Sequence, residues 1–329
     1  MSVESPVLEV EDLCVSVARP NGDRAMVVRG VSFQIDAGNR VGLVGESGSG
    51  KTMTSLAIMG LLPVGAYVES GSVRLEGKSL LSLNAHQLQR LRGSHMAMVL
   101  QDAMTALDPS FTIGSQLAAP LRRHKHLRGK ALDEAMVASL ERVHLSAAKE
   151  RLRQFPHQLS GGMRQRVTSA IALAGDPRLL IADEPTSALD TATQLRYLQL
   201  IEELQATEAF ALLFVTHDLS VVREVCDRVM VMYSGEVVEE GEVGQIFDAP
   251  KHPYSRALLD AIPQVGQSKP LKAIDGQPPE AGAQIAGCRF AARCRHSREI
   301  CEKQQPKLSE RSPDQRAACW ATEPGGWLA

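Results

Sequence analysis

The eight residues from Gly45 to Thr52 read Gly-Glu-Ser-Gly-Ser-Gly-Lys-Thr, which matches the pattern of a phosphate-binding P-loop. They stand between a strand-like apolar run, 40–44, and a segment of helical composition, 53–62. Glycines at such a turn let successive backbone N–H groups surround a phosphate, and the helix N-terminus adds partial positive charge. Lys51 would reach the β- and γ-phosphates, and the Thr52 hydroxyl would bind Mg²⁺. The alternative is a glycine-rich turn that binds nothing. The predicted nucleotide-binding residues here are Gly45, Glu46, Ser47, Gly48, Ser49, Gly50, Lys51 and Thr52.

A second motif supplies the carboxylates that phosphate chemistry needs. The run Leu-Leu-Ile-Ala at 179–182 is typical of a buried strand, and it ends in Asp183 and Glu184. At the carboxyl end of a parallel strand these groups would face a nucleotide. Asp183 is predicted to bind Mg²⁺, and Glu184 to polarise the attacking water. The alternative is a structural strand that merely ends in an acid.

Between these two motifs lies a third, Leu-Ser-Gly-Gly-Met-Arg-Gln-Arg at 159–166. Ser160, Gly161 and Gly162 would open a helix and form a second anion site from a hydroxyl, bare N–H groups and the helix dipole. The alternative is an ordinary serine cap followed by flexible glycines. The motif resembles the signature of ATP-binding cassette (ABC) ATPases. That resemblance implies that two cassettes pair head to tail, with each ATP held between the P-loop of one and the signature of the other.

Further residues resemble the motifs of the same family in the same order. Gln101 is similar to the Q-loop glutamine, which touches Mg²⁺ or water, and the segment ending at Asp190 is similar to the cross-dimer D-loop. His217 is similar to the switch histidine near the γ-phosphate. The resemblance therefore implies catalytic roles for Glu184, His217 and Gln101, Mg²⁺ ligands at Thr52, Gln101 and Asp183, and ATP as substrate. The aromatic residue that stacks on adenine in the family is absent from 13–18, where Val17 is the nearest counterpart.

Four cysteines close to the C-terminus form the last chemical pattern. Cys288, Cys294, Cys301 and Cys319 are spaced C-x₅-C-x₆-C-x₁₇-C, unlike the C-x₂-C of common zinc ribbons. Four soft ligands suit either an iron–sulfur cluster or zinc, and free thiols are the third reading. The spacing resembles the C-terminal extension of peptide-importer ATPases, which implies a [4Fe–4S] cluster on the four thiolates.

The elements that must position these residues follow from periodicity. Apolar and polar residues alternate at 7–17 and 29–36, as in an antiparallel edge sheet, and 71–77 is predicted to be a further strand. Residues 113–154 have helical composition, and strand and helix patterns alternate from 160 to 240. The predicted fold class is α/β. The resemblance, which covers 7–248, adds the P-loop NTPase ABC cassette, with a parallel RecA-like core sheet, an antiparallel edge sheet and an inserted helical subdomain at about 102–158. Residues 249–329 are the predicted cysteine-containing extension.

Bulk properties exclude several classes of protein. The net charge is −2 and aromatics are 4%, which disfavours nucleic acid as a partner. No stretch of 18 apolar residues and no secretory signal is seen, so we expect a cytosolic protein.

Two further segments narrow the resemblance to importers of dipeptides and oligopeptides. They are 101–109, Gln-Asp-Ala-Met-Thr-Ala-Leu-Asp-Pro, and 251–259, Lys-His-Pro-Tyr-Ser-Arg-Ala-Leu-Leu. The implied partners are a related second ATPase, two integral membrane permease subunits and, indirectly, an extracytoplasmic peptide-binding protein. The implied location is the cytoplasmic face of the cell membrane, as a peripheral subunit. Two alternatives stay open: an importer ATPase for nickel, a glycoside or an opine, and a soluble ABC ATPase with no transport role.

Overall fold

The structure is a computed structural model that describes residues 6–262 and 273–328. Its strands are β1 Leu8–Ala18, β2 Arg24–Ile35, β3 Arg40–Val44, β4 Ala66–Leu75, β5 Lys78–Ser79, β6 Met96–Val99, β7 Leu179–Asp183, β8 Ala211–Thr216, β9 Arg228–Tyr233, β10 Glu236–Glu242, β11 Ser309–Ser312 and β12 Gln315–Ala317. Its α-helices are α1 Lys51–Met59, α2 Ala85–Leu91, α3 Ala103–Ala106, α4 Ile113–Lys125, α5 Gly129–Arg142, α6 Ala148–Arg151, α7 Gly161–Leu173, α8 Thr191–Glu208, α9 Leu219–Val225, α10 Val243–Asp248, α11 Pro253–Asp260 and α12 Glu299–Lys303. Short 3₁₀ turns lie at Pro156–Gln158, Ala291–Arg293 and Trp320–Thr322.

The described residues form two compact units. The signature unit comprises residues 6–8, 35–39 and 74–214, and the P-loop unit comprises 9–34, 40–73, 215–262 and 273–328. Each unit is assembled from separate stretches of chain. Within the described ranges, none of the helices combines the length and the apolar character that a membrane span requires.

In the P-loop unit, five strands lie side by side in the order β11-β12-β10-β9-β3. Strand β3 runs parallel to β9, in a register from Val41 opposite Arg228 to Val44 opposite Val231. The β10, β12 and β11 strands continue the sheet in antiparallel pairs. The central strands β3 and β9 are nearly continuous apolar runs, because a parallel strand is covered on both faces. A second layer in this unit has the order β2-β1-β4.

The segment after residue 248 is tied into this same sheet. Glu239 on β10 lies opposite Ala317 on β12 and is fully buried. Its carboxylate accepts hydrogen bonds from the backbone N–H groups of Lys251 (2.6 Å) and His252 (2.9 Å) and from Nε2 of Gln315 (2.9 Å). Burial raises the pKa of Glu239. Because a buried carboxylate is costly without donors, these three bonds fix residues 251, 252 and 315 against β10.

In the signature unit, the strand order is β8-β7-β6, with β6 and β7 parallel and Met96 opposite Leu179. The predicted helical region 113–154 is occupied by α4, α5 and α6. These helices and α7 bury leucine and valine side chains such as Leu117, Leu140 and Val167. The mixed α/β architecture that the sequence predicts is therefore confirmed, and the predicted bounds of the cassette, helical subdomain and extension stay predictions.

Candidate functional site

The P-loop connects the carboxyl end of β3 to the first residue of α1. Gly50 caps the helix with φ 108° and ψ −1°, in the left-handed region that disfavours side chains. A Cβ at Gly50 would also lie 2.6 Å from the carbonyl oxygen of Val27. At Gly45 a Cβ would collide with the carbonyl oxygen of Met232. The two glycines are therefore required by close backbone approach as well as by the turn itself.

The side chain of Lys51 folds back onto the P-loop. Its Nζ donates to the carbonyl oxygens of Gly45 (2.8 Å) and Glu46 (3.0 Å), and the residue is 4% exposed. Lysine carries three N–H donors on a flexible stem, so the same ammonium can turn to phosphate oxygens when a nucleotide enters the loop. Thr52, in the first turn of α1, is exposed and so accessible to a metal ion.

Ser49 adds a donor inside the same loop. It is 4% exposed, and its hydroxyl has no hydrogen-bond partner among the described residues. A buried hydroxyl without a partner is costly, and a phosphate oxygen is a ligand that would satisfy it. Together with the N-terminus of α1 and the Lys51 ammonium, this orphan hydroxyl makes the loop a good fit for a polyphosphate.

Two predicted catalytic residues meet in the signature unit. Asp183 ends β7 and is 3% exposed, and Glu184 follows it with φ 46°. The side chain of Gln101, which follows β6, donates from Nε2 to Oε2 of Glu184 at 3.0 Å. A left-handed backbone is strained for a residue other than glycine, and such strain concentrates at functional sites. The parallel strands β6 and β7 thus bring their carboxyl ends, and these two side chains, together.

The signature motif forms a helix N-terminus as predicted. Ser160 caps α7, and its Oγ accepts from the N–H of Met163 at 3.4 Å. Gly161 is exposed, and a Cβ on Gly162 would come 2.5 Å from Cγ2 of Thr193. The signature turn therefore packs closely against the first turn of α8, and a side chain at residue 162 would require Thr193 to shift.

The D-loop residue caps that neighbouring helix. Asp190 is the N-cap of α8, and its carboxylate accepts from the backbone N–H (3.0 Å) and the hydroxyl (2.7 Å) of Thr193. These hydrogen bonds, the side-chain one first, lower the pKa of Asp190. Asp190 is exposed, so Thr193 connects two exposed groups, the signature turn and the D-loop carboxylate. The family resemblance implies that both contribute to a dimer contact.

His217 lies in the P-loop unit, directly after β8. It is exposed, and the next residue, Asp218, caps α9 by accepting from the N–H of Ser220 at 2.9 Å. The structure thus places His217 and residues 45–52 in the P-loop unit, and the remaining predicted nucleotide residues in the signature unit. That all of them meet on one nucleotide stays a prediction.

The four C-terminal cysteines line one small cavity in the P-loop unit. All four are free thiols, and Cys301 and Cys319 are each 8% exposed. Burial raises the pKa of Cys288 to about 12 and that of Cys294 to about 11, and it also raises the pKa of Cys319.

Backbone N–H groups lower the pKa values of the same thiols. They come from the residue two positions further along the chain, Phe290 for Cys288, His296 for Cys294 and Ala321 for Cys319. Such hydrogen bonds stabilise thiolates and tune metal–sulfur sites. Among the residues that the structure describes, however, no three His, Cys, Asp or Glu side chains are arranged to hold a metal ion. The four cysteines thus share a cavity, and three of them have backbone donors to sulfur. The [4Fe–4S] cluster that the sequence analysis expects there stays a prediction.

Two protein-family models match separate segments of the chain. The family model described as ABC transporter matches residues 28–187, and the model described as oligopeptide/dipeptide transporter, C-terminal region, matches 238–301. The chain is 42% identical to the dipeptide transport ATP-binding protein DppD of Bacillus subtilis (strain 168), over 95% of this chain and 94% of that protein. It is 41% identical to the oligopeptide transport ATP-binding protein OppD of Escherichia coli (strain K12), over 95% of this chain and 93% of that protein.

Among solved structures, the chain is similar to a dimer of the ATP-binding cassette MJ0796 in a post-hydrolysis state bound to ADP and phosphate. The TM-score is 0.64 and the identity is 26%, over 72% of this chain and 98% of that one. This similarity confirms the cassette fold.

Proposed function

The chain belongs to the ABC transporter ATPase family, and from that premise we propose that it is the ATP-hydrolysing subunit of an importer for dipeptides or oligopeptides. One observation carries the substrate class: the similarity to peptide-transport ATP-binding proteins extends over 95% of the chain and includes the segment beyond the cassette. A match to the oligopeptide/dipeptide transporter C-terminal model over 238–301 supports the same reading.

The P-loop unit supplies the groups that hold the triphosphate. Lys51 exchanges two loop carbonyls for phosphate oxygens, and the Ser49 hydroxyl, which lacks a partner among the described residues, gains one. Thr52, Gln101 and Asp183 would bind Mg²⁺, which neutralises phosphate charge.

Glu184 is the proposed general base. It would take a proton from the attacking water while the bond between the γ-phosphorus and the β–γ bridging oxygen breaks, giving ADP and phosphate. The hydrogen bond from Gln101 supports this role, because it orients the Glu184 carboxylate at the end of β7. His217 is proposed to contact the γ-phosphate from the P-loop unit.

The second half of the ATP site is proposed to come from a partner cassette. Ser160 and Gly161 are exposed at the N-terminus of α7, where a hydroxyl and bare N–H groups can receive a phosphate from another chain. The dimeric state of the similar MJ0796 cassette supports pairing of this kind. We propose that the partner is a related but different ATPase chain. Both ATPases would bind two membrane permease subunits at the cytoplasmic face of the membrane, and an extracytoplasmic peptide-binding protein would deliver the peptide to the permease.

The four-cysteine cavity is proposed to hold a [4Fe–4S] cluster on Cys288, Cys294, Cys301 and Cys319. A cluster binds one thiolate on each of its four irons, so its ligands stand further apart than those around a single ion. The cavity that the four cysteines share supports this proposal. The cationic irons would hold the thiols deprotonated, against the burial that raises the pKa values of Cys288, Cys294 and Cys319, and the N–H groups would stabilise the thiolates of these three residues.

Co-purification and transport test the function. Affinity-tagged chain, expressed with its neighbouring genes, should bring down two integral membrane subunits and a second ATPase. Proteoliposomes of that complex, supplied with the cognate binding protein, should accumulate labelled dipeptides or oligopeptides only with ATP inside the compartment that this chain faces. Uptake of nickel or a glycoside without peptide uptake would refute the substrate class. A chain that hydrolyses ATP but captures no membrane subunit would refute the transport role.

A further inference from the structure

A C-terminal arginine reaches into the P-loop. Nη1 of Arg293 lies 2.7 Å from Oε2 of Glu46, and its Nη2 lies 2.9 Å from Oε1. Glu46 is the second residue of the P-loop, and 247 positions separate the two residues in sequence. The Arg293 side chain is 4% exposed and that of Glu46 is 27% exposed. This is a two-pronged, largely buried ion pair, the geometry in which arginine–carboxylate pairs are strongest.

The guanidinium is held from several other sides. Nε donates to the carbonyl oxygen of Asp275 at 2.9 Å, and Nη1 also lies 3.3 Å from the hydroxyl of Tyr233. The charge sits 5.7 Å from the ring centre of Tyr233 and 5.9 Å from that of Phe290. The hydrogen bonds to Glu46 raise the pKa of Arg293 further. A lysine could supply the charge but not this fork, since one ammonium cannot span both carboxylate oxygens and the Asp275 carbonyl.

The backbone of Glu46 is held by the same segment. Its N–H donates to the hydroxyl of Tyr254 at 2.9 Å, and Tyr254 on α11 is fully buried. The Tyr254 ring packs 4.6 Å from the ring of Tyr233 and 5.3 Å from that of Phe290, measured between ring centres. Both the main chain and the side chain of Glu46 are therefore fixed by residues that follow the cassette.

The position of Glu46 makes this contact important for nucleotide binding. A carboxylate within the loop that receives a polyphosphate repels that ligand, unless a cation neutralises it. Low exposure strengthens both the repulsion and its compensation. The Tyr254 bond also fixes the direction of one loop N–H, so the entry to the P-loop has a defined conformation before ATP arrives.

We propose that Arg293 and Tyr254 are positioning residues of the ATP site, and that the C-terminal segment raises ATP affinity by neutralising and orienting Glu46. This rests on the proposed function, because it presumes that residues 45–52 bind ATP. The segment is then part of the nucleotide site and acts on binding, whereas Glu184 acts on the chemical step. Loss of Arg293 should raise KM for ATP and leave kcat at saturating ATP nearly unchanged.

The test measures ATP affinity and steady-state ATPase kinetics on the assembled complex. Arg293→Gln should weaken ATP binding on the order of tenfold, or ~1.4 kcal/mol, with a kcat within about twofold of wild type. Arg293→Lys should give an intermediate affinity. The matched control is Arg295→Gln, two residues away, whose side chain is 64% exposed and pairs with Asp275. It should bind ATP as wild type does.

A double-mutant cycle that removes both charges distinguishes neutralisation of Glu46 from a merely structural role of Arg293. Glu46→Gln should keep ATP affinity within about threefold of wild type, and Glu46→Gln combined with Arg293→Gln should recover most of the affinity that Arg293→Gln loses. A structural role predicts no recovery in the double variant, and that result would overturn the proposal, as would an Arg293→Gln variant that binds like Arg295→Gln. Lys51→Ala distinguishes a failure of the proposed function from a failure of the role proposed for Arg293. If it binds ATP normally, the proposed function fails; if it abolishes binding while Arg293→Gln does nothing, only this inference fails.

Discussion

Replacing Ser160 by alanine tests whether the signature turn contacts ATP across a dimer. In the folded chain Ser160 has one visible task, which is to cap α7 by accepting from the N–H of Met163 at 3.4 Å. A lost serine cap costs ~0.5–2 kcal/mol, and a bond this long belongs near the lower end of that range. With an unfolding entropy of about 2.1 cal/mol/K per residue over 329 residues, 1 kcal/mol lowers Tm by about 1.5 °C. Loss of the Ser160 cap alone therefore leaves the protein folded at 25 °C.

The catalytic cost should be much larger than this loss of stability. If the Ser160 hydroxyl donates to a phosphate oxygen in the transition state, its removal forfeits one charge-assisted hydrogen bond, worth ~1.5–3 kcal/mol. That corresponds to a fall in kcat/KM of about 10- to 100-fold at the ATP site bound by the partner's P-loop.

A matched control comes from another helix of the same unit. Thr112 caps α4, a helix of 13 residues like α7, and accepts from the N–H of Ser115 at 3.3 Å. Thr112→Ala should lower Tm by the same ~1–2 °C and leave ATPase activity of the assembled complex unchanged. The assay pairs thermal denaturation with phosphate release at varied ATP. Equal ATPase rates in Ser160→Ala and Thr112→Ala would refute the claim that the signature contacts ATP.

Three further predictions address other residues of the site. Lys51→Ala should weaken ATP binding on the order of 100-fold, because two or more charge-assisted hydrogen bonds to phosphate are lost. Calorimetric titration measures the ATP affinity, and an undiminished affinity would contradict the role of Lys51. Glu184→Gln should bind ATP normally and lose about 10²- to 10⁴-fold in kcat, because the general base is removed. Glu134→Gln, on the exposed face of α5, is the control and should keep wild-type kcat. Wild-type turnover in Glu184→Gln would rule out Glu184 as the general base. Anaerobically purified protein should contain about four irons and four acid-labile sulfides per chain. Cys294→Ser should lower that content and Cys14→Ser should not, and an iron-free wild type would end the cluster proposal.

The sequence predicted where the candidate residues that belong to short local motifs lie in the fold, and their roles on a nucleotide stay predictions. The glycines of the P-loop, the Ser160 cap and the carboxylates after β7 are each defined by a run of a few residues, so their types and order sufficed. The meeting of Gln101 with Glu184 was also accessible, because parallel neighbouring strands end at the same edge of a sheet. The cassette fold followed from the same motifs.

Contacts between distant segments left no comparable mark in the sequence. Pro and Gly become frequent after about 250, and this change of composition suggested that the cassette ends there. Yet β12 pairs with β10, and three donors from residues 251–315 converge on the buried carboxylate of Glu239. A composition change records which residues are used, whereas burial depends on which faces meet. A lone arginine before a cysteine gives no hint that its partner is a glutamate 247 positions earlier.

The Arg293–Glu46 pair also explains why a glutamate is tolerated inside a phosphate-binding loop. An unpaired carboxylate there would oppose the ligand, so on electrostatic grounds Glu46 and Arg293 should be kept or lost together. Arg293 ends a 3₁₀ turn that lies between Cys288 and Cys294, with the N–H of Arg293 donating to the carbonyl of Phe290 at 2.9 Å. The position of its guanidinium therefore depends on the fold around the cysteine cavity. It follows that Cys294→Ser should weaken ATP binding, measured by calorimetric titration, in the chain that retains Glu46. The effect should be much smaller in Glu46→Gln, because a displaced Arg293 weakens ATP binding only through the Glu46 carboxylate that it no longer neutralises.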